Sequence, residues 1–245
     1  MLRLVLFELI IVLVSSYSIP SYVQICSRND PKIDECMIKT IDNILKHGAG
    51  GIPEMNLQSL DPLYVKDVAV DTNGNLIKIH AELKSLVMQN IKSVVISYLK
   101  SDPSNGRFTA TLYFPSVTAQ GNYEIKGQIL TFAIESKGTL DFDAKNITTE
   151  IEWYGKLYDK NGNTHLLIER IETKTDIKEM KLRFYNLFEN NEVLTETVNT
   201  IINDNIQELK KDLNNIIENT IGDCALSYFN DVYEVFTFDE LFPEK

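Results

Sequence analysis

From Val65 to about Phe188 the chain alternates apolar and polar side chains with a period of two, the repeat of an extended strand with one buried face. In LIKIHAELKS, Ile77, Ile79, Ala81 and Leu83 share a face, and in RFTATLYFP, Phe108, Ala110, Leu112 and Phe114 do so. Over residues 122–153, Tyr123 and Ile125 form one set, Leu130, Phe132 and Ile134 a second, and Leu140 and Phe142 a third. The parity slips near Ile129–Leu130, with Gly127 and Gly138 close by, which predicts bulges or sharp bends that curl the sheet. Asn-Gly in DTNGN (71–75) and DKNGN (159–163) predicts hairpin turns, because this pair tolerates the positive φ of a tight turn. Phe108, Leu112, Phe114, Phe132, Ile134, Leu140 and Phe142 should then face inward, with Thr109, Thr111, Thr131, Thr139 and Asp141 outward.

The ends of the chain carry a different period. Asp30-Pro31 suits a helix start, and Ile33, Met37, Ile41, Ile44 and Leu45 recur at helical spacing up to Gly48. The following GAGGIPEMNLQSLDPLYV is broken by glycine and proline and reads as a loop with apolar plugs at Ile52, Met55, Leu57 and Leu60. From Asn190, Val193, Leu194, Thr197, Val198, Ile201, Ile202, Ile206, Leu209, Leu213, Ile216, Ile217 and Ile221 recur at spacings of three and four. About 32 residues at 1.5 Å each make a rod of roughly 48 Å, far longer than an ordinary helix. A helix with one apolar stripe and a curled sheet with an apolar concave face satisfy each other if the sheet rolls around the rod. The expected fold class is therefore α+β, a curved antiparallel sheet rolled around one long C-terminal helix, with a short N-terminal helix and a lengthwise hydrophobic tunnel able to hold a guest.

Residues 1–18 stand apart from this core. Arg3 precedes LVLFELIIVLVSS, and Ser16 and Ser18 have the spacing of a signal-peptidase site, so cleavage is expected after Ser18. The apolar run is shorter than the ~20 residues of a membrane span, and no second candidate follows. Residues 19–245 are then a single exported, soluble domain. Of the 245 residues, 44% are hydrophobic and 24% charged, enough for a substantial core without metals. The net charge of −11 repels nucleic acid and anionic lipid surfaces. Three cysteines in an exported chain imply one disulfide and one leftover thiol. Cys26 and Cys36 lie close together, and a bridge between them would stabilise by about 2–3 kcal/mol; Cys224 reads as a buried apolar residue. Asn146-Ile147-Thr148 is a sequon, making Asn146 a candidate glycan site.

Catalytic signatures are lacking: no nucleophile elbow, P-loop, dinucleotide fingerprint or zinc-protease motif occurs. His47, His80 and His165 are scattered and read as polar surface residues. Asp71, Asn73, Asn75 and Glu82 fit four positions of a calcium loop, but Leu76 stands where that loop needs glycine, and a plain hairpin is the better reading. No enzyme activity, cofactor or metal is expected.

From Cys26 to Pro243 the chain resembles the takeout and juvenile-hormone-binding family of secreted insect proteins. The resemblance is carried by Cys26 and Cys36 leading into CMIKTIDNILKHGAGGIPEMNLQSLDPLYV, by YEIKGQIL followed by Gly138 and FDAKNI, by the long C-terminal helix, and by the ending FDELFP. It implies a tunnel that carries a terpenoid, fatty acid or similar lipid, and links to circadian or feeding physiology. A single N-terminal disulfide with Cys224 unpaired looks more like the takeout branch. The expected tunnel lining is Phe108, Leu112, Phe114, Tyr123, Phe132, Ile134, Leu140, Phe142 and Trp153 from the sheet, with Val198, Ile201 and Ile202 from the helix; the hydroxyls of Tyr113 or Tyr123 could confer selectivity. The expected partners are a small hydrophobic ligand and a receptor of unidentified kind, without nucleic acid or stable membrane insertion. Two other readings compete: an extracellular signalling or interaction protein whose tunnel is structural, and a lipid-transfer module acting at membranes.

Overall fold

A computed structural model describes residues 17–245; the expected leader lies outside the described residues except for Tyr17 and Ser18. The sustained alternation produces strands several times the usual length of ~5–6 residues. The strands are β1 (Leu63–Val65), β2 (Val68–Asn73), β3 (Ile77–Gln89), β4 (Val95–Asp102), β5 (Arg107–Ile129), β6 (Phe132–Lys160) and β7 (Asn163–Phe184), the last three being the long ones at 23, 29 and 22 residues. All pair antiparallel in one sheet of order β1-β3-β5-β6-β7, with β2 also on β3 and β4 also on β5. The helices are α1 (Ile33–Gly48), α2 (Glu192–Asp204), α3 (Ile206–Tyr233) and α4 (Phe238–Leu241). The 29 residues of β6 would extend ~95 Å if straight at ~3.3 Å each. The 28 residues of α3 reach only ~42 Å. The sheet matches the helices by curving, as the fold class requires.

Two details differ from the sequence reading. The single rod is two helices, interrupted at Asn205, whose φ is −106° and whose side-chain amide donates to the Ile201 carbonyl at 2.8 Å. Asparagine competes with the helix for backbone groups in this way, so the apolar stripe runs on while the hydrogen-bond ladder breaks. The parity slip is also elsewhere. Ile129 pairs with Phe132 across a tight turn at Leu130-Thr131, with Leu130 at φ 54°, so that point is a hairpin.

Three strands change their inward face together along one row, where the ladder stays in register but one pair is missing. On β5 and β6 the pairing steps from Phe114–Ile147 to Ser116–Lys145, leaving Pro115 opposite Asn146. On β6 and β7 it steps from Ile147–Ile177 to Lys145–Glu179, leaving Lys178 beside Asn146. Pro115 has no N–H to give the ladder, and Asn146 sits at φ 53°. Beyond the row the inward set changes parity on every strand. Ala110 and Leu112 give way to Val117 and Ala119, Ile151 and Thr149 to Ala144 and Phe142, and Thr175 and Ile177 to Met180 and Leu182. The two Asn-Gly turns fall where expected: Lys160 pairs with Asn163 across Asn161 (φ 58°) and Gly162 (φ 83°), and Gly74 N–H donates to the Ile77 carbonyl at 2.9 Å.

The α2–α3 pair lies along the open side of the roll, its apolar stripe inward, and fastens to both margins of the sheet. Among the described strands β7 pairs only with β6, so its far edge presents backbone groups that no described strand takes up. Side chains from the helices satisfy them in turn. Asn199 accepts from Phe184 N–H (2.9 Å) and donates to its carbonyl (2.8 Å); Asn203 does the same for Leu182 (3.0 and 2.7 Å) and Asn230 for Ile168 (2.9 and 2.9 Å). Glu218 accepts from Thr175 N–H at 2.9 Å, and Lys210 donates to the Ile177 carbonyl at 2.7 Å. At the other margin the Asp212 carboxylate accepts from Leu76 N–H (2.8 Å) and Ile77 N–H (3.1 Å) in the β2–β3 turn. The Leu76 amide chiefly holds that carboxyl below its usual range. A Cβ on Gly74 would sit 2.3 Å from the Asp212 carboxylate, so glycine makes the approach possible.

The segment around Cys26 is tied to the C-terminal residues. Arg28 donates to Asp239 (2.6 Å), the Phe242 carbonyl (2.6 Å) and Glu244 (2.9 Å), beside the Cys26–Cys36 disulfide. Asn199 is buried at 4% exposure, so removing its amide orphans both backbone groups of Phe184. At ~1–3 kcal/mol for each orphaned buried group, Asn199→Ala should lower the urea midpoint clearly. Asn199→Asp, which can accept but not donate and adds a buried charge facing the Phe184 carbonyl, should lower it at least as far. Equal midpoints for all three would refute the edge-sealing role.

Candidate functional site: the apolar tunnel

Between the sheet's concave face and α3 lies a cavity of about 660 Å³, within the range of small-molecule sites. One wall is α3, from Leu209 through Leu213, Ile217, Ile221, Ala225 and Phe229 to Tyr233 at spacings of four, with Ile216, Thr220 and Cys224 beside them. Those 24 steps span ~36 Å, so the volume is drawn out into a narrow bore. β3, β5, β6 and β7 supply the opposite wall, α1 contributes Met37, Ile41, Ile44 and Leu45, and the loop plugs Met55, Leu57 and Leu60 close over it. No charged residue lines it among the described residues.

Of the lining residues expected from sequence, Leu112, Phe114, Tyr123, Leu140, Phe142, Trp153 and Ile202 border the cavity. Phe108, Phe132, Ile134, Val198 and Ile201 do not. Phe108 is stacked behind Trp153 with ring centroids 5.2 Å apart, filling the second layer. Ile134 and Val198 are buried, and Phe132 half-buried, in the solidly packed cluster that α2 joins where it lies against β7; Ile201 is half-buried away from the cavity. Packing is closed under α2 and open under α3, so the helical lining comes mostly from residues beyond Ile202. The stripe Leu209–Ile221 carried the signal for these, whereas the continuation through Cys224, Ala225, Phe229 and Tyr233 follows from the helix running on to Tyr233. Ala110 borders the cavity and Ala133 is exposed.

The polar groups are mostly spoken for. Tyr123 OH donates to the Tyr185 carbonyl at 2.7 Å, and exposed Tyr113 OH donates to Asn146 Oδ1 at 2.8 Å, so neither hydroxyl is free for a guest. Tyr228 OH donates to the Ser59 carbonyl at 2.6 Å, and burial pushes its phenol up to about 12. Thr149 and Thr175 pair with each other at 3.2 Å. Trp153 Nε1–H is buried with no partner among the described residues. His165, read as a surface residue, is instead buried with Nδ1 3.2 Å from the Tyr233 carbonyl, because α3 packs across β7 there. His47 and His80 are exposed. Asn146 is exposed at the bend row, where its amide also donates to Glu179 at 3.3 Å.

A rolled antiparallel sheet closed by a helix around an apolar bore defines a class of protein built to enclose a hydrophobic guest. The profile of the haemolymph juvenile hormone binding protein family matches residues 4–243, and the chain belongs to that family. It is 22% identical over 240 residues to the circadian clock-controlled protein daywake of Drosophila melanogaster, covering 94% of this chain and 91% of the relative. The daywake protein of Drosophila yakuba is 23% identical over 241 residues, covering 93% and 90%. The crystal structure of Epiphyas postvittana Takeout 1 superposes with a TM-score of 0.74 at 22% identity, covering 90% of this chain and 99% of that one.

Cys26 and Cys36 are bonded, while Cys224 is a free, half-buried thiol on the cavity wall. Burial chiefly, with Asp223 beside it, pushes that thiol above its usual range; the thiolate is the reactive form, so reaction slows. Labelling the native oxidised protein at pH 8 should therefore leave Cys224 unmodified, and unfolding without reductant should expose one thiol. Two or more thiols after unfolding would overturn the pairing.

Proposed function

We propose that the protein is a secreted carrier, without catalytic activity, that encloses a small, elongated and electrically neutral hydrophobic ligand. The observation that carries this reading is the bore itself, about 660 Å³ of space with no charged side chain in its wall among the described residues. Burying ~300–400 Å² of ligand at about 25 cal/mol/Å² gives roughly 8–10 kcal/mol gross. Association and ordering reduce this, leaving affinity on the order of micromolar. A terpenoid or a lipid ester suits the bore. A fatty acid suits it with its carboxyl neutral, because an ionised carboxylate would find no cation inside and would bear the desolvation penalty uncompensated. The family's name for juvenile hormone binding supports carriage of a lipid of this size, and the clock-controlled daywake relatives support a link to circadian or feeding physiology. The expected leader at residues 1–18, the Cys26–Cys36 disulfide and the exposed sequon at Asn146 support secretion and glycosylation at Asn146. No described helix is long and apolar enough to cross a membrane.

Ala110→Phe tests whether the bore is working space. A ring there enters the cavity, so stability should change by less than the ~1–3 kcal/mol typical of overpacking a filled core. Uptake of a neutral fluorescent terpenoid or fatty-ester probe should fall at least tenfold. Unchanged uptake in a folded variant, or no uptake by the delipidated unaltered protein, would count against a carrier and favour a signalling protein whose tunnel is structural.

A further inference from the structure

Buried tryptophan N–H groups nearly always find an acceptor, because an unpaired donor forfeits its hydration without return. Trp153 breaks that rule at 5% exposure, on the cavity wall. One half-buried neighbour also leaves a polar group unpaired. Tyr233 also lines the cavity, none of the described residues hydrogen-bonds to its hydroxyl, and burial alone pushes its phenol far above the usual range. The other hydroxyls of the wall are engaged: those of Tyr123 and Tyr228 as described, Thr40 with the Gln24 carbonyl at 2.6 Å, and Thr220 with the Ile216 carbonyl at 2.8 Å.

The two unpaired groups belong to one aromatic nest. The Phe229 ring lies 5.2 Å from that of Trp153 and 6.4 Å from that of Tyr233, and the Phe242 ring lies 6.5 Å from Tyr233. The nest sits at the end of the bore where α3 finishes, in the cluster that also holds Cys26, Cys36, Phe238 and Phe242. The opposite end, toward the β2–β3 turn and Leu209, is bordered by aliphatic side chains together with Phe142, Phe184 and Tyr123, whose hydroxyl is already engaged by the Tyr185 carbonyl. An indole N–H only donates, whereas a phenol donates and accepts. Together they suit a neutral oxygen that accepts, such as a carbonyl, ester, ether or alcohol oxygen. Neither they nor any other lining residue supplies the positive charge a carboxylate would need.

Resting on the carrier reading, we infer that this nest is a polar head subsite. It takes the single neutral acceptor oxygen of an otherwise apolar chain and so fixes the ligand's direction in the bore, head toward Trp153 and Tyr233, tail toward the β2–β3 turn. Trp153 is the chain's one tryptophan, which gives the subsite its own signal.

The test titrates delipidated protein with four probes of one chain length: hexadecane, methyl palmitate, 1-hexadecanol and palmitate at pH 8. Methyl palmitate and 1-hexadecanol should bind at least about tenfold more tightly than hexadecane, since each relieves a buried unpaired donor. They should also bind more tightly than palmitate. In an ¹⁵N-labelled sample the lone indole N–H resonance should move downfield with the ester and not with hexadecane. Trp153→Phe should bring ester and hexadecane affinities within about threefold, while hexadecane binding, which needs no donor, persists. Tyr233→Phe should narrow the preference for the alcohol. Equal binding of ester and hexadecane by the unaltered protein, an unmoved indole resonance, or a preference that survives Trp153→Phe would each overturn the subsite while leaving the carrier reading standing. Failure of all four probes to bind would overturn both.

Discussion

The unpaired edge of β7 is the constraint on which the rest of this architecture depends. A sheet this long must either close on itself or cover its margins, because a free strand edge recruits other chains. Here the closure is made by side chains. Asn199, Asn203 and Asn230 each present a carbonyl and an amide to one residue of β7, imitating the strand that is absent. Their positions, four residues apart in α2 and then well along α3, hold the helices parallel to the edge over most of its length. Asp212 holds the opposite margin through the β2–β3 turn. The helix is therefore a stave in the wall of the roll, and the bore exists because a stave leaves the middle unfilled.

That arrangement explains an unusual distribution of packing. Under α2 the core is solid, with Val198 and Ile202 at 0% and 1% exposure. Under α3, Leu213, Ile216, Ile217 and Ile221 remain half-buried although they face inward, since their neighbours across the bore are too distant to cover them. The hydrophobic effect still favours this state over an unfolded one, but it leaves contacts unmade that a guest can make.

Much of this was legible in the sequence, for physical reasons that can be named. Alternation marks a buried face whatever the sheet's curvature, so β3, β5 and β6 were readable, and Asn-Gly announced both turns. The helical stripe was readable, yet periodicity is blind to a one-residue break such as Asn205, where the stripe continues across the interruption. Pattern reading also located the parity slip at a hairpin, because Leu130 and Phe132 resemble a strand on either side of a turn. It separated inside from outside well, but not cavity wall from second layer. Phe108 and Trp153 have the same parity in register and the same burial, and only their stacking order decides which one meets the bore. The capping asparagines looked like an ordinary polar helix face, since nothing local reveals which strand they will meet.

The bend row at Pro115, Asn146 and Lys178 bears on how such a chain can change over generations. Because all three strands shift phase together, the row behaves as one hereditary unit. Losing a single codon at one of its positions would turn half a strand inside out while its neighbours kept their phase. Drift by substitution is open to every position on either side, whereas length change near the row demands matched events in segments some thirty residues apart. A lineage can therefore diverge far in sequence while the spacing between these points stays fixed. Alignments of distant relatives are best anchored on that spacing rather than on shared residues.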